Sequence, residues 1–374
     1  MKKTDTLTPR QLMAAGFVAL LSPLIRRYPR SLAETAGAGA WLSVLLALLP
    51  MTTVLLVLRL FYRKQPPGTG FADILVRVLG KLPGRALTGL YGLWFTAYAG
   101  FLLRSGAERF ISTVYPGAGP GVFVITMALL CLTAAMGRLC PIARAAMLFR
   151  PLMAALFVLV TLLTVKDFDF SLLLPVDPTG LPADIFSAAQ TVNVLSSVAF
   201  LAFFSDRLSR PFEKSDRPWL RAAEAPGVIF LMTVSCLGMF GPVLTANMTY
   251  PYFMLVRDVS VLGSLERAEP VIIALWVLSD FVMLSLLLLA AGKNLRFCFG
   301  CPDADPPSRL TDLKNGRWML PLCAVAAAAA ALLLPEGIAP FRLLSDTVVP
   351  LASAGFSLGI PLLVLGIGLL RKRI

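Results

Sequence analysis

Apolar residues recur in ten stretches, near 11–28, 40–60, 86–104, 119–137, 145–165, 184–204, 225–246, 269–291, 318–335 and 347–370, with short polar connections between them. A helix rises about 1.5 Å per residue, so roughly 20 apolar residues cross the hydrocarbon core of a bilayer. The pattern predicts an all-α polytopic membrane protein of ten transmembrane helices, forming one domain over residues 1–374. The connections at 205–224 and 292–317 are mixed in charge and rich in Pro, with Pro302, Pro306 and Pro307 in the second, and neither is long enough to fold alone. Segment 71–81 has another character: Phe71, Ile74, Leu75, Val78 and Leu79 share one helical face, and Asp73, Arg77 and Lys81 the other. Too short to span, it reads as an amphipathic helix, lying at the cytoplasmic interface or packing on the bundle as a loop helix.

Polar residues inside the apolar stretches carry the candidate chemistry, because an ionisable group at membrane depth costs at least a few kcal/mol. Asp280 falls in the middle of the eighth stretch beside Ser279, as a proton or cation site or as a hydrogen-bonded packing residue. In the first stretch Ser22 and Pro23 interrupt the helix, Arg26 and Arg27 follow, and Pro29 stops it. Proline removes a main-chain donor and clashes with the preceding turn. In transporters with discontinuous helices, such a break frees main-chain groups near the midplane for a substrate's charged ends. Arg26 and Arg27 either face the interior as anion donors or snorkel to the outer interface. The sixth stretch is dense in hydrogen-bonding side chains, Ser187, Gln190, Thr191, Asn193, Ser196 and Ser197. Gln190, Asn193, Ser196 and Ser197 join Ser22, Pro23, Arg26 and Arg27 as candidate substrate-binding residues, with cross-helix packing as the other reading. Arg104 and Glu108, four apart near the outer end of the third stretch, read as a structural ion pair.

Lys and Arg number 25 on the side of the N-terminus and 9 on the other, so the positive-inside rule places both termini in the cytoplasm. No cleavage site follows the first stretch, which reads as a retained helix and not as a signal peptide. Composition agrees with a membrane protein: 57% of residues are hydrophobic and 15% charged, against roughly 25% charged in a soluble domain. The net charge of +13 is spread over short loops, so it follows topology and excludes a nucleic-acid surface. With no histidine, the chain lacks the usual proton-relay and metal-ligand side chain. Cys131, Cys140, Cys236 and Cys323 lie in apolar runs as small hydrophobes. Cys298 and Cys301 form a lone CxxC with no second pair, either a bland loop feature or a metal or redox site. No catalytic triad, paired acidic motif or glycine-rich phosphate loop is present, which argues against an enzyme, and no metal or other cofactor is implied.

Several motifs occur in order: Gln11 and Pro29 ahead of AWLSVLLA at Ala40–Ala47, Gly137 with Arg144, Leu173-Leu174-Pro175, Tyr250-Pro251 with Arg257, Glu266-Arg267, and Trp276. In these the chain resembles the GerAB-type spore germination proteins, the amino acid permease-like B subunits of nutrient germinant receptors, over about residues 10–300. That family is similar to the amino acid, polyamine and organocation transporters. The resemblance implies a LeuT-like fold of two inverted five-helix repeats, with substrate held where the first and sixth helices are broken. It also implies a nutrient sensor for a small ligand such as an amino acid, in the spore inner membrane, among membrane lipids, partnered by an A-type membrane subunit and a C-type lipoprotein subunit. The alternative is a free-standing proton-coupled transporter of amino acids or small organic anions in the bacterial cytoplasmic membrane, with Asp280 as the coupling carboxylate. The first span shows a proline break, whereas the sixth shows no Gly or Pro break. Relatives carry GxGxLxxP in the first helix; here the stretch is Ser22-Pro23-Leu24-Ile25-Arg26-Arg27-Tyr28-Pro29, with both glycines absent, and a Lys common in the eighth helix is Met283.

Overall fold

The computed structural model describes residues 6–63, 68–115, 117–174, 180–258, 269–301, 316, 318–334, 341 and 343–371. Helices follow one another as α1 (Pro9–Arg27), α2 (Arg30–Ala36), α3 (Ala40–Arg63), α4 (Phe71–Leu79), α5 (Lys81–Thr113), α6 (Pro120–Met136) and α7 (Leu139–Thr164). They continue as α8 (Leu181–Ser196), α9 (Pro218–Asn247), α10 (Pro251–Asp258), α11 (Glu269–Cys298), α12 (Met319–Leu333) and α13 (Leu344–Leu370). Among the described residues, seven helices are long and apolar enough to cross a membrane, and three shorter apolar ones cover Pro9–Ile25, Pro120–Met136 and Met319–Leu333.

The order of elements repeats. In each half an interrupted helix is followed by a long one, then a short helix (α4, 9 residues; α10, 8), then a very long one (α5, 33; α11, 30). A short apolar helix (α6, 17; α12, 15) and a long one (α7, 26; α13, 27) complete each half. The expected interruption at Ser22-Pro23 needs correction, because α1 runs unbroken through Pro23; the break falls at Pro29, where α1 ends at Arg27, Tyr28 is extended (φ −99°, ψ 146°), and α2 restarts after Pro29. The sixth helix is also interrupted, as the resemblance implies, although its sequence carries no Gly or Pro break. At Ser197 the α-helix gives way to a 3₁₀ segment, Ser197–Arg207, without Gly or Pro at the junction. A 3₁₀ helix is narrower and its hydrogen bonds poorer, so it persists only where packing supports it. Support comes from the Ser205 hydroxyl, which donates to the Thr69 carbonyl at 2.9 Å, from the Tyr62 hydroxyl donating to the Ala202 carbonyl at 3.1 Å, and from Lys293 Nζ, 2.7 Å from the Phe203 carbonyl.

Two boundaries also differ from the hydropathy reading. The third crossing helix does not stop near residue 104 but continues as α5 to Thr113. The amphipathic segment ends at Leu79, because Gly80 takes φ +106°, and Lys81 already begins α5. Phe71, Ala72, Ile74, Leu75 and Val78 of α4 are buried. A Cβ at Gly84 of α5 would lie 2.5 Å from Val76 Cα, so the apolar face of α4 packs directly on the bundle through this glycine. Phe71 also enters an aromatic cluster, 5.1 Å from the Phe203 ring, and Tyr91 lies 5.0 Å from the same ring. The Tyr91 hydroxyl donates to the Phe356 carbonyl at 2.7 Å, within the π-turn Gly355–Gly359 of α13. α4, α5, the 3₁₀ segment and α13 are thereby tied together at one end of the bundle. The N-terminal segment joins them through an isolated parallel bridge between Leu7 and Leu208.

Candidate functional site

Buried charge gathers where α1, α5 and α11 meet. Asp280 of α11 is 4% exposed. Its Oδ2 pairs with Arg109 Nη2 of α5, and its Oδ1 accepts a hydrogen bond from the Ser22 hydroxyl of α1. Next to it, Ser279 donates to the Val18 carbonyl of α1 at 2.6 Å, so two consecutive residues of α11 hold one turn of α1. Pro23, just after Ser22, supplies no N–H to the carbonyl one turn earlier, which leaves this part of α1 dependent on its neighbours. A Cβ at Gly106 would lie 3.2 Å from Asp280 Oδ2, so this glycine gives the carboxylate its room against α5. The Arg109 guanidinium lies 5.3 Å from the Trp276 ring centroid, a cation–π distance.

Chemically this is a closed unit. Each carboxylate oxygen already has a protein partner, one of them the Arg109 guanidinium. A cation binding at Oδ2 has to displace Arg109, whereas Oδ1 is held by the Ser22 hydroxyl. The sequence reading singled out Asp280 and Ser22 but missed Arg109, because it ended the third helix at 104. The available signal was the stretch from Ala107 to Tyr115, where no Gly or Pro interrupts the helix. Arg104 and Glu108 do meet, with Nη2–Oε1 at 2.7 Å, the arginine buried and the glutamate partly exposed.

The polar residues of α8 turn elsewhere. Gln190 Oε1 accepts from the Ser31 hydroxyl of α2 at 3.0 Å, across the two interrupted helices. Asn193 Nδ2 donates to the Pro350 carbonyl of α13 at 2.8 Å, and Ser196 donates to the Asn193 carbonyl at 2.7 Å. Asn193 Oδ1 and the hydroxyls of Ser187 and Ser197 are buried without a hydrogen-bond partner. Gln190 therefore meets the continuation of the first helix, while Ser22 is engaged by α11. Asp184, overlooked in the sequence, is 3% exposed and sits against Gly39, where a Cβ would come 2.5 Å from its Oδ1. The side chains of Arg26 and Arg27, and all of Pro175, Glu266 and Arg267, lie outside the described residues.

Next to this cluster is a small cavity of about 10 Å³, enough for about one water, bounded by Leu21, Ile25, Met153, Phe157, Tyr252 and Trp276. The Tyr252 hydroxyl, Trp276 Nε1 and Arg109 Nη1 are buried without partners. Cys298 and Cys301 are free thiols.

Residues 6–305 match the sequence model of the spore permease family, described as spore germination protein. The chain is 23% identical over 373 residues to the spore germination protein YndE of Bacillus subtilis (strain 168), covering 97% of this chain and 94% of that one. Its structure is similar to that of a Na+-coupled sialic acid symporter in a substrate-bound outward-open state, with a TM-score of 0.64 at 14% identity, over 98% of this chain and 82% of that one. The fold is thus the all-α, LeuT-like inverted-repeat fold of membrane transporters.

Proposed function

We propose, from the premise that the chain belongs to the spore germination protein family, that it is the membrane subunit of a nutrient germinant receptor in the spore inner membrane. Both termini face the cytoplasm. A small nutrient, in the first instance an amino acid, binds in a transporter-like pocket where the first and sixth helices are interrupted, at α1–α2 and at Ser197. Main-chain groups freed at the breaks meet its charged ends, and Gln190, Asn193, Ser196 and Ser197 meet the rest. Binding favours one rocking state of the two helix sets over the other, and an A-type membrane subunit and a C-type lipoprotein subunit read that shift.

The observation that carries sensing ahead of ion-driven transport is the Arg109–Asp280 pair. A carrier that couples through Asp280 has to load and release a proton or cation at that carboxylate in every cycle. Here a tethered cation holds one oxygen of that carboxylate and Ser22 the other. The test is germination of spores lacking this chain, with each nutrient supplied separately. Loss of response to at least one nutrient is the expected result, and a normal response to every nutrient overturns the reading.

The symporter-like fold favours a second reading, a proton-coupled transporter of amino acids or small organic anions with Asp280 as the coupling group. Uptake into proteoliposomes that follows a pH gradient and disappears in Asp280→Asn supports this alternative; uptake indifferent to both removes it.

A further inference from the structure

We infer that the groove between the end of α13 and the start of α5 is a binding site for an anionic phospholipid. Leu79, Pro83, Ile367, Leu370 and Arg371 line a groove of about 440 Å³ at this point. Its position suits a lipid: α13 ends at Leu370 and α5 begins at Lys81, so the groove lies at the water boundary of two membrane-length helices. Arg371 stands at the rim. It donates through Nη1 to the Val78 carbonyl at 3.1 Å, satisfying an orphan carbonyl at the end of α4, and its other guanidinium donors remain for a ligand.

Lys81 is exposed on the facing helix. The first turn of α5 carries no acidic residue, and no side chain caps it. Its free N–H groups and the positive end of its dipole therefore add to the two cations, and together they suit a phosphate. An apolar path leads away from this polar rim. Leu363, Ile367 and Leu370 follow one another at helical spacing on α13, and Leu363 and Leu370 are 68% and 86% exposed. A phosphate at the rim and an acyl chain along these residues match the two ends of one lipid molecule, which a soluble phosphate ester or an uncharged apolar ligand does not. Charge complementarity selects an anionic headgroup over a zwitterionic one, whose choline would face the same cations.

The experiment uses the full chain, purified and delipidated in a nonionic detergent, with bound lipid counted by native mass spectrometry and thermal unfolding followed in parallel. The probes are dioleoyl phosphatidylglycerol, dioleoyl phosphatidylcholine and soluble glycerol phosphate. Phosphatidylglycerol is expected to be retained at least tenfold more strongly than phosphatidylcholine and to raise Tm by several degrees, with no effect of millimolar glycerol phosphate. Lys81→Ala, which disturbs no hydrogen bond described above, should weaken retention several-fold, and Lys81→Ala with Arg371→Ala should abolish the preference. Lys81→Arg should restore it, separating charge from folding. Equal retention of the two lipids, an unchanged preference in the double variant, or equal stabilisation by glycerol phosphate overturns the proposal.

Discussion

Removing either partner of the Arg109–Asp280 pair should cost far more than removing both. The two side chains are only 4% and 6% exposed, so their interaction is poorly screened by water. At an effective dielectric constant of 20, charges 4 Å apart attract by about 4 kcal/mol, and breaking one partner of a buried pair costs about 3–5 kcal/mol. Asp280→Asn leaves the guanidinium with a neutral amide, while Arg109→Met leaves the carboxylate with only the Ser22 hydroxyl. Each should lose about 3–5 kcal/mol. The double variant Arg109→Met with Asp280→Leu removes both charges and fills similar volume, so it should lose no more than about 1–2 kcal/mol, most of it from the stranded Ser22 hydroxyl. Unfolding by SDS titration in mixed micelles measures all three against the parent. Single losses that simply add in the double variant, to within about 0.5 kcal/mol, would show that the two charges do not interact and would refute the closed-unit description.

Four other substitutions probe the packing and the polar contacts, each read as thermal unfolding in detergent. Gly84→Ala drives a Cβ to 2.5 Å from Val76 Cα and 2.8 Å from the Leu75 carbonyl, both backbone atoms that cannot swing aside. It should cost about 1–3 kcal/mol, whereas Gly121→Ala on α6, with nothing within 4 Å, should be neutral or slightly stabilising. Ser279→Ala removes the 2.6 Å bond to the Val18 carbonyl and should cost about 1 kcal/mol, clearly less than loss of the adjacent charge. Arg150→Ala breaks a partly exposed pair with Glu224, Nε–Oε2 2.6 Å, and should cost no more than about 1 kcal/mol, a difference that shrinks in 0.5 M salt.

Asp280 was legible in the sequence because a carboxylate stands out in a run of apolar residues, and the end of α1 was legible at Pro29, whereas Pro23, read as an interruption, is accommodated within the helix. Arg109 was not. Arg104, Glu108 and Arg109 together lower the local hydropathy, so the apolar window closes before the helix does. What keeps Arg109 inside is an acid 171 residues away. The break in the sixth helix was hidden for a related reason, since α and 3₁₀ segments can share one composition and only the contacts of Ser205, Tyr62 and Lys293 favour the tighter form here. The pairing of Gln190 with Ser31 likewise requires two helices to be side by side.

The division follows from where polar groups find partners in a medium without water. Backbone N–H and C=O groups are satisfied within each helix, so residue order alone determines which stretches become membrane helices. Side-chain charges and hydroxyls are satisfied only between helices. Which of them meet, and whether Asp280 stands open or is closed by Arg109 and Ser22, was decided by the tertiary structure.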